Sequence, residues 1–249
     1  MSKKISSFRH IPNAITCLNL FCGCLSIISA LNGKLEMAAY FILAAAVFDF
    51  FDGFMARWLK AYSAMGKELD SLADVVSFGV APACIMYALL LPATARHGLP
   101  VEIFTCGWFI AMFAFVIAVF SALRLAKFNI DTRQTDSFIG LPTPANALFI
   151  CSLAFVSPDN QLLSMLAGNI FFLLAITVIF SYLLVAELPL FSLKFKSFDW
   201  KKNQIRYIFM ALSAFILIFL HWAGLSAIIL IYIILSIFTH ILCNRKDST

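Results

Sequence analysis

The chain has 249 residues, 62% of them hydrophobic and 12% charged, with 27 phenylalanines. No soluble core of this length needs so much apolar surface, so a water-soluble globular protein is excluded and membrane spans are expected. The formal net charge of +5 comes from basic residues gathered in alternate loops, a pattern that sets topology and does not point to nucleic acid.

Eight apolar runs are long enough to be spans: 11–31, 36–56, 70–92, 101–123, 141–157, 166–186, 205–222 and 225–243. Without water, each must close its own backbone hydrogen bonds. The expected fold is therefore all-α, a polytopic membrane helical bundle of about eight transmembrane helices. The first run carries Asn13, Thr16 and Asn19; its length and the membrane segments behind it argue against a cleaved signal peptide. The second ends on Asp49, Asp52, Gly53 and Ala56, and residues 57–67 read as a short basic turn holding Arg57, Lys60, Gly66 and Lys67. The third opens with Asp70 and Asp74, and the fourth is followed by Arg124, Lys127 and Asn129. The fifth and sixth show no paired carboxylates. Residues 188–204 interleave Phe191, Phe195, Phe198 and Trp200 with lysines, the composition of a loop lying at the headgroup level. The last two spans carry no legible chemistry.

Of the 18 basic residues, 16 fall in the N-terminus, the second, fourth and sixth loops and the tail; Lys34 and Arg96 stand on the other side. Both termini are thus expected in the cytoplasm. The seven cysteines form no C-x-x-C pair, and most sit within predicted spans, so they read as small buried residues and not as disulfides or a zinc site.

The four aspartates are the anomaly. A carboxylate at the centre of a membrane helix costs roughly 2.5–3.5 kcal/mol on insertion scales. Asp49 and Asp52 are three apart, Asp70 and Asp74 four apart, so each pair shares one face of its helix. The intervening turn brings the two helices back antiparallel, and the carboxylates converge near the cytoplasmic interface. Unpaired, they would repel one another and take up protons. Hard oxygen donors select Mg²⁺, Mn²⁺ or Ca²⁺, and two divalent ions would balance four carboxylates, a recurring device for phosphoryl transfer. Gly53 and Ala56 lie on the Asp49 face and Gly66 on the face of Asp70 and Asp74, which suggests close approach by a ligand or a neighbouring helix.

The whole string is Asp49-x-x-Asp52-Gly53-x-x-Ala56-Arg57, eight residues, Gly66, three residues, Asp70, three residues, Asp74. It resembles the signature of the CDP-alcohol phosphotransferases at all eight fixed positions. The resemblance implies a core of six membrane helices, usually in a homodimer, that displaces CMP from a CDP-linked lipid by an alcohol with the help of two divalent metal ions, Mg²⁺ or Mn²⁺. It implies Asp49, Asp52, Asp70 and Asp74 as metal ligands, with Asp74 also the general base. Gly53, Ala56, Arg57 and Gly66 would receive the nucleotide and diphosphate, and Asn13 and Thr16 stand at the same depth. Lys60, Lys67 and Lys127 lie outside the signature and read as topogenic.

Three further stretches, "DSLADVVSFGVAPA" (70–83), "ALRLAKFN" (122–129) and "FIGLPTPANA" (138–147), resemble the phosphatidylserine synthase branch of that family. On that resemblance the expected reaction joins CDP-diacylglycerol and L-serine at the cytoplasmic membrane, with the active site facing the cytoplasm. Serine needs a cation for its carboxylate, and Arg124 and Asn129 are the candidate acceptor pocket. The implied division is a catalytic membrane domain at 1–187, the interfacial loop 188–204, and two additional helices at 205–249. Other readings stay open: a phosphatidylglycerophosphate or phosphatidylinositol-type synthase, a membrane prenyltransferase, and a cation or proton transporter built on intramembrane carboxylates.

Overall fold

Apolar stretches with no water to bond must coil on themselves, and they do so throughout this chain. The computed structural model describes residues 10–131, 138–155, 161–190 and 200–246. In chain order the helices are α1 (His10–Leu31), α2 (Leu35–Trp58), α3 (Ala64–Arg96), α4 (Cys106–Ile130), α5 (Thr143–Ala154), α6 (Gln161–Ala167), α7 (Ile170–Val185), α8 (Trp200–Leu220) and α9 (Gly224–Lys246). Two-residue strands β1 (Phe138–Ile139) and β2 (Pro189–Leu190) form a small antiparallel ladder. The protein is a polytopic membrane bundle. Helices α1 to α4 are each long and apolar enough to cross a bilayer, and α5, α7 and parts of α8 and α9 are shorter apolar helices.

The helix ends differ from the hydropathy reading in two places that matter for the site. The turn expected over 57–67 is confined to residues 59–63. Helix α2 runs on through Arg57 and Trp58, and α3 begins at Ala64, where the Ser63 hydroxyl caps it by accepting from the Gly66 amide at 2.9 Å. A fall in hydropathy marks the membrane interface and not the end of a helix, so hydropathy alone does not show this polar first section of α3 as helix. The fourth span, expected over 101–123, is helical over Cys106–Ile130. Arg124, Lys127 and Asn129 therefore lie on the last two turns of α4 and not beyond it. At its other end, Gly107 abuts the Pro100 carbonyl, with no room for a Cβ.

Helix α3 is interrupted by a π-helical turn at Val75–Val80, directly after Asp74. Such turns widen the helix locally and recur at functional sites. Here α1, α4 and α5 all pack on it. The Ser77 hydroxyl donates to the Asn19 main-chain carbonyl at 3.0 Å, and Gly23 lies so close to Ser77 that a side chain there would collide with it.

Helix α5 is enclosed by α2, α3, α4, α7 and α9, with nearly every residue buried. Its 12 residues rise about 18 Å at ~1.5 Å per residue, short of a hydrocarbon core of roughly 30 Å; residues 156–160 of the expected fifth span lie outside the described residues. The segment leading into α5 is tied to the end of α7. Gly140, with φ +79°, donates to the Leu188 carbonyl at 2.9 Å, and Leu141 to Leu183 at 2.9 Å. A Cβ on Gly140 would sit 2.7 Å from the Leu184 oxygen, so both conformation and space demand glycine.

Six cysteines among the described residues are free: Cys22, Cys84 and Cys151 are buried, while Cys17, Cys24 and Cys106 are exposed, so only half fit the expectation of buried small residues. Most of the loop at 188–204, residues 191–199, lies outside the described residues, as do Lys3, Lys4, Arg9 and Arg133.

Candidate active site

The turn at 59–63 returns α3 alongside α2, and α1 packs on both. Asp49, Asp70 and Asp74 each offer a carboxylate oxygen, and these oxygens lie within 4.8 Å of one another. Asp49 and Asp70 are half-buried and Asp74 is buried. Asp70 Oδ1 is buried without a hydrogen-bond partner among the described residues. Asp52 is buried beside this group and acts on all three carboxylates electrostatically, but one of its oxygens is engaged by Thr16, whose hydroxyl donates to it at 2.6 Å. Asn19 reaches from the next turn of α1, its side-chain amide 3.5 Å from Asp74 Oδ1.

A cavity of about 860 Å³ adjoins the carboxylates through Asp52 and Asp70. Every residue expected to receive the nucleotide and diphosphate lines it: Asn13, Thr16, Gly53, Ala56, Arg57 and Gly66. The two glycines serve different ends. A Cβ on Gly53 would meet nothing within 4 Å, so Gly53 opens onto the cavity. A Cβ on Gly66 would lie 3.0 Å from Asn13 Oδ1, so Gly66 admits a side chain of α1. Arg57 donates through Nε to the Gly53 carbonyl at 2.9 Å, which lays the guanidinium along the cavity wall.

The two acceptor-pocket candidates are not placed alike. Arg124 is 8% exposed, within electrostatic reach of Asp74, and its guanidinium lies 5.2 Å from the Phe128 ring. Its Nε has no hydrogen-bond partner among the described residues. Asn129, five residues on, donates from its side chain to the Ser71 hydroxyl at 2.9 Å and so ties α4 to α3. Of the residues read as topogenic, Lys60 is exposed and Lys127 pairs with Glu187 at 3.2 Å. Lys67 does more: it lines the cavity and its Nζ donates to the Asn129 carbonyl at 3.3 Å. Asn19 was read only as a polar residue of the first span. A signal for it existed, since Asn13, Thr16 and Asn19 recur every three residues and make a polar stripe on α1.

The sequence profile of the CDP-alcohol phosphatidyltransferase family matches residues 9–186. The chain belongs to this family. Over 146 residues it is 40% identical to the CDP-diacylglycerol–serine O-phosphatidyltransferase of Bacillus subtilis (strain 168), covering 59% of this chain and 76% of that protein. A protein of the same name from Helicobacter pylori (strain ATCC 700392 / 26695) is 32% identical over 203 residues, 81% of this chain and 80% of the relative. The archaetidylserine synthase of Methanothermobacter thermautotrophicus is 35% identical over 152 residues, 60% of each chain. The family match takes in the whole carboxylate group and its cavity and stops before α8.

The donor set suits a metal. Three carboxylates within 4.8 Å, one of them with an orphaned buried oxygen, are an arrangement that a hard cation stabilises and that carboxylates alone oppose. Asp49, Asp70 and Asp74 could thus hold a metal ion.

Proposed function

We propose that this CDP-alcohol phosphatidyltransferase moves the phosphatidyl group from CDP-diacylglycerol to the hydroxyl of L-serine, giving phosphatidylserine and CMP. The observation that carries the reading is the convergence of Asp49, Asp70 and Asp74 beside a cavity lined by the rest of the signature. The choice of serine is supported by the names of the relatives.

The cytidine and diphosphate occupy the cavity, with Gly53 and Ala56 permitting contact and Arg57 offering its planar fork to phosphate. Asp49, Asp52, Asp70 and Asp74 would hold two divalent ions, Mg²⁺ or Mn²⁺, which would supply positive charge to offset the diphosphate and Lewis acidity at the phosphorus. Thr16 orients Asp52 and Asn19 orients Asp74. Asp74 takes the proton from the serine hydroxyl as the new O–P bond forms on the lipid-bearing phosphorus. The bond to the CMP phosphate oxygen breaks, and CMP leaves with that oxygen. Arg124, buried and within electrostatic reach of Asp74, is the cation for the serine carboxylate; Asn129 braces α4 against α3 beside it.

The basic-residue pattern supports a multi-pass protein of the cytoplasmic membrane with both termini and the active site on the cytoplasmic side. Residues 1–187 form the catalytic domain, acting as a homodimer, while 188–204 lie at the interface and 205–249 add two helices. The test is CMP release from CDP-diacylglycerol in vesicles with Mg²⁺ or Mn²⁺, comparing serine, glycerol 3-phosphate, inositol and no acceptor. Serine-dependent release is expected. Release with another acceptor alone would overturn the substrate, and ion flux without CMP would overturn the reaction.

A further inference from the structure

Most buried hydroxyls in this bundle find an acceptor: those of Thr16, Ser26 and Ser77 bond across to a neighbouring helix, and others close on their own. Ser152, Thr177 and Ser236 donate to the carbonyls of Phe149, Leu173 and Tyr232 at 2.6, 2.8 and 2.7 Å. The start of α5 breaks that habit. Thr143 and Asn146 are both fully buried. The Thr143 hydroxyl and both amide atoms of Asn146 lack hydrogen-bond partners among the described residues. Thr143 opens its helix, so no helical carbonyl lies a turn behind it. Asn146 has no such excuse, because a buried asparagine in a membrane bundle ordinarily bonds across to a neighbouring helix. The two residues are three apart and share one face of α5.

The same deficit recurs on α4. Ser121 Oγ and Arg124 Nε are also buried and unpartnered, and they too are three residues apart. Helices α4 and α5 both pack on the π-helical turn Val75–Val80 that follows Asp74, and on each other. Gly79 of that turn abuts Ser121, with 3.1 Å between a Cβ there and the serine Cβ. Unpartnered buried polar groups from two helices therefore lie on elements packed against the turn that follows Asp74, and those of Ser181 on α7 and Ser213 on α8 stand apart from them as single hydroxyls. This is poor economy for a purely structural core, where such groups are paired.

Resting on the reading of the reaction above, we propose that Thr143 and Asn146 complete the serine site and set acceptor specificity. The chemistry matches a small zwitterion. The Arg124 guanidinium and the Asn146 amide N–H face the carboxylate, and the Asn146 carbonyl and Thr143 hydroxyl accept from the ammonium. Anchored at both ends, serine presents its hydroxyl toward Asp74. Glycerol 3-phosphate and inositol carry no ammonium and would leave these acceptors unmet, which costs a site built to bond them far more than a missing methylene would.

The test measures CMP release by the full-length protein in vesicles, varying serine and CDP-diacylglycerol separately, for Asn146→Leu, Thr143→Val and Thr143→Ser. Thermal midpoints are read alongside. The KM for serine should rise at least tenfold in Asn146→Leu and Thr143→Val, the KM for CDP-diacylglycerol should move less than twofold, and Thr143→Ser should stay near the parent. The midpoints should hold or rise, because leucine and valine remove polar atoms that have no partner among the described residues. A serine KM within twofold of the parent in both variants overturns the proposal. So does a joint rise of both KM values with a lowered midpoint, which is the signature of a structural role. Should Asn146→Leu fail to fold, Asn146→Asp gives the same decision, since it exchanges the amide donor for charge facing the serine carboxylate. If the parent itself releases CMP with a different acceptor and not with serine, the reading of the reaction falls and takes this assignment with it.

Discussion

The meeting point of α1, α2 and α3 and the terminal pair α8 and α9 are made of the same apolar residue types but handle polarity in opposite ways. At the first, four carboxylates sit among Ala, Phe and Leu, with Thr16 bonded to Asp52 and Asn19 to Asp74. In the second, the buried side chains are chiefly Phe209, Ile216, Ile229, Tyr232 and Ile233; of its buried polar residues, Asn203 accepts from Arg206 and Ser236 turns its hydroxyl back on its own helix. Each buried carboxylate carries an insertion cost of roughly 2.5–3.5 kcal/mol, a cost that packing alone does not offset. The contrast marks where chemistry is expected: the first region gathers carboxylates that a bound cation would relieve, whereas the described buried side chains of the second are mostly apolar. The family match draws the same line, ending at residue 186.

The hardest blow to that contrast falls on the carboxylates. Asp74→Asn preserves volume and removes both the proposed base and a proposed metal donor, and general-base loss alone is worth about 10²–10⁴ in rate. CMP release should drop by about 10³ or more. Asp49→Asn and Asp70→Asn should fall nearly as far, and excess chelator should abolish activity until Mg²⁺ or Mn²⁺ is restored. Full activity in chelator would mean that the carboxylates serve packing, like the side chains of α8 and α9.

Next in size is the shell around the carboxylates. Thr16→Val keeps the shape and deletes the 2.6 Å bond to Asp52. Loss of such a supporting contact typically costs 10–100-fold in metal affinity or activity, so the Mn²⁺ or Mg²⁺ concentration for half-maximal rate should rise by about tenfold. An unchanged metal requirement would detach Asp52 from the metal site, consistent with its place outside the 4.8 Å group.

Gly53 offers a sharper version of the same comparison. Its Cβ position is open, and alanine in a helix is favoured over glycine by roughly 1 kcal/mol. Gly53→Ala should raise the thermal midpoint by a few degrees while raising the KM for CDP-diacylglycerol several-fold. A variant that gains stability and loses no activity would show that the nucleotide does not approach α2 there.

Much of this was legible beforehand because carboxylates in lipid are too costly to be accidental and because their spacing of three and four residues marks helix faces. The hydropathy runs located eight apolar helices for the same reason that the backbone must coil. Helix ends were not legible. Arg57 and Lys67 flag the interface, yet both stand on helices, and the cap that ends the turn is a single serine, Ser63. The π-helical turn after Asp74 has no propensity signal at all. Lys67 did not stand out, since a lysine in a basic loop reads as topogenic, and the stretch 138–147 stood out only as a whole, with nothing in it to single out Thr143 and Asn146. Their roles appear only when a cavity or an unpaired amide is seen in three dimensions.

The smallest effect is expected where the terminal pair grips the rest of the bundle. Trp222 packs on Tyr40 at 6.1 Å and on Phe155 at 5.9 Å, ring centre to ring centre, and Tyr40 and Phe155 meet at 4.9 Å. Aromatic pairs contribute about 0.5–1.5 kcal/mol each beyond area burial, and Trp222 is 44% exposed, so Trp222→Ala loses little buried area besides. A destabilisation of about 1–2 kcal/mol lowers the midpoint by a few degrees in a chain of this size. Tyr40 lies on the first turns of α2, nine residues before Asp49, about 13 Å along the axis at ~1.5 Å per residue. The carboxylate geometry is therefore insulated, and CMP release below the midpoint should stay within twofold of the parent. A large loss of rate without loss of stability would show that α8 and α9 act on the site through α2, and the division between a chemical region and a packing region would have to be redrawn.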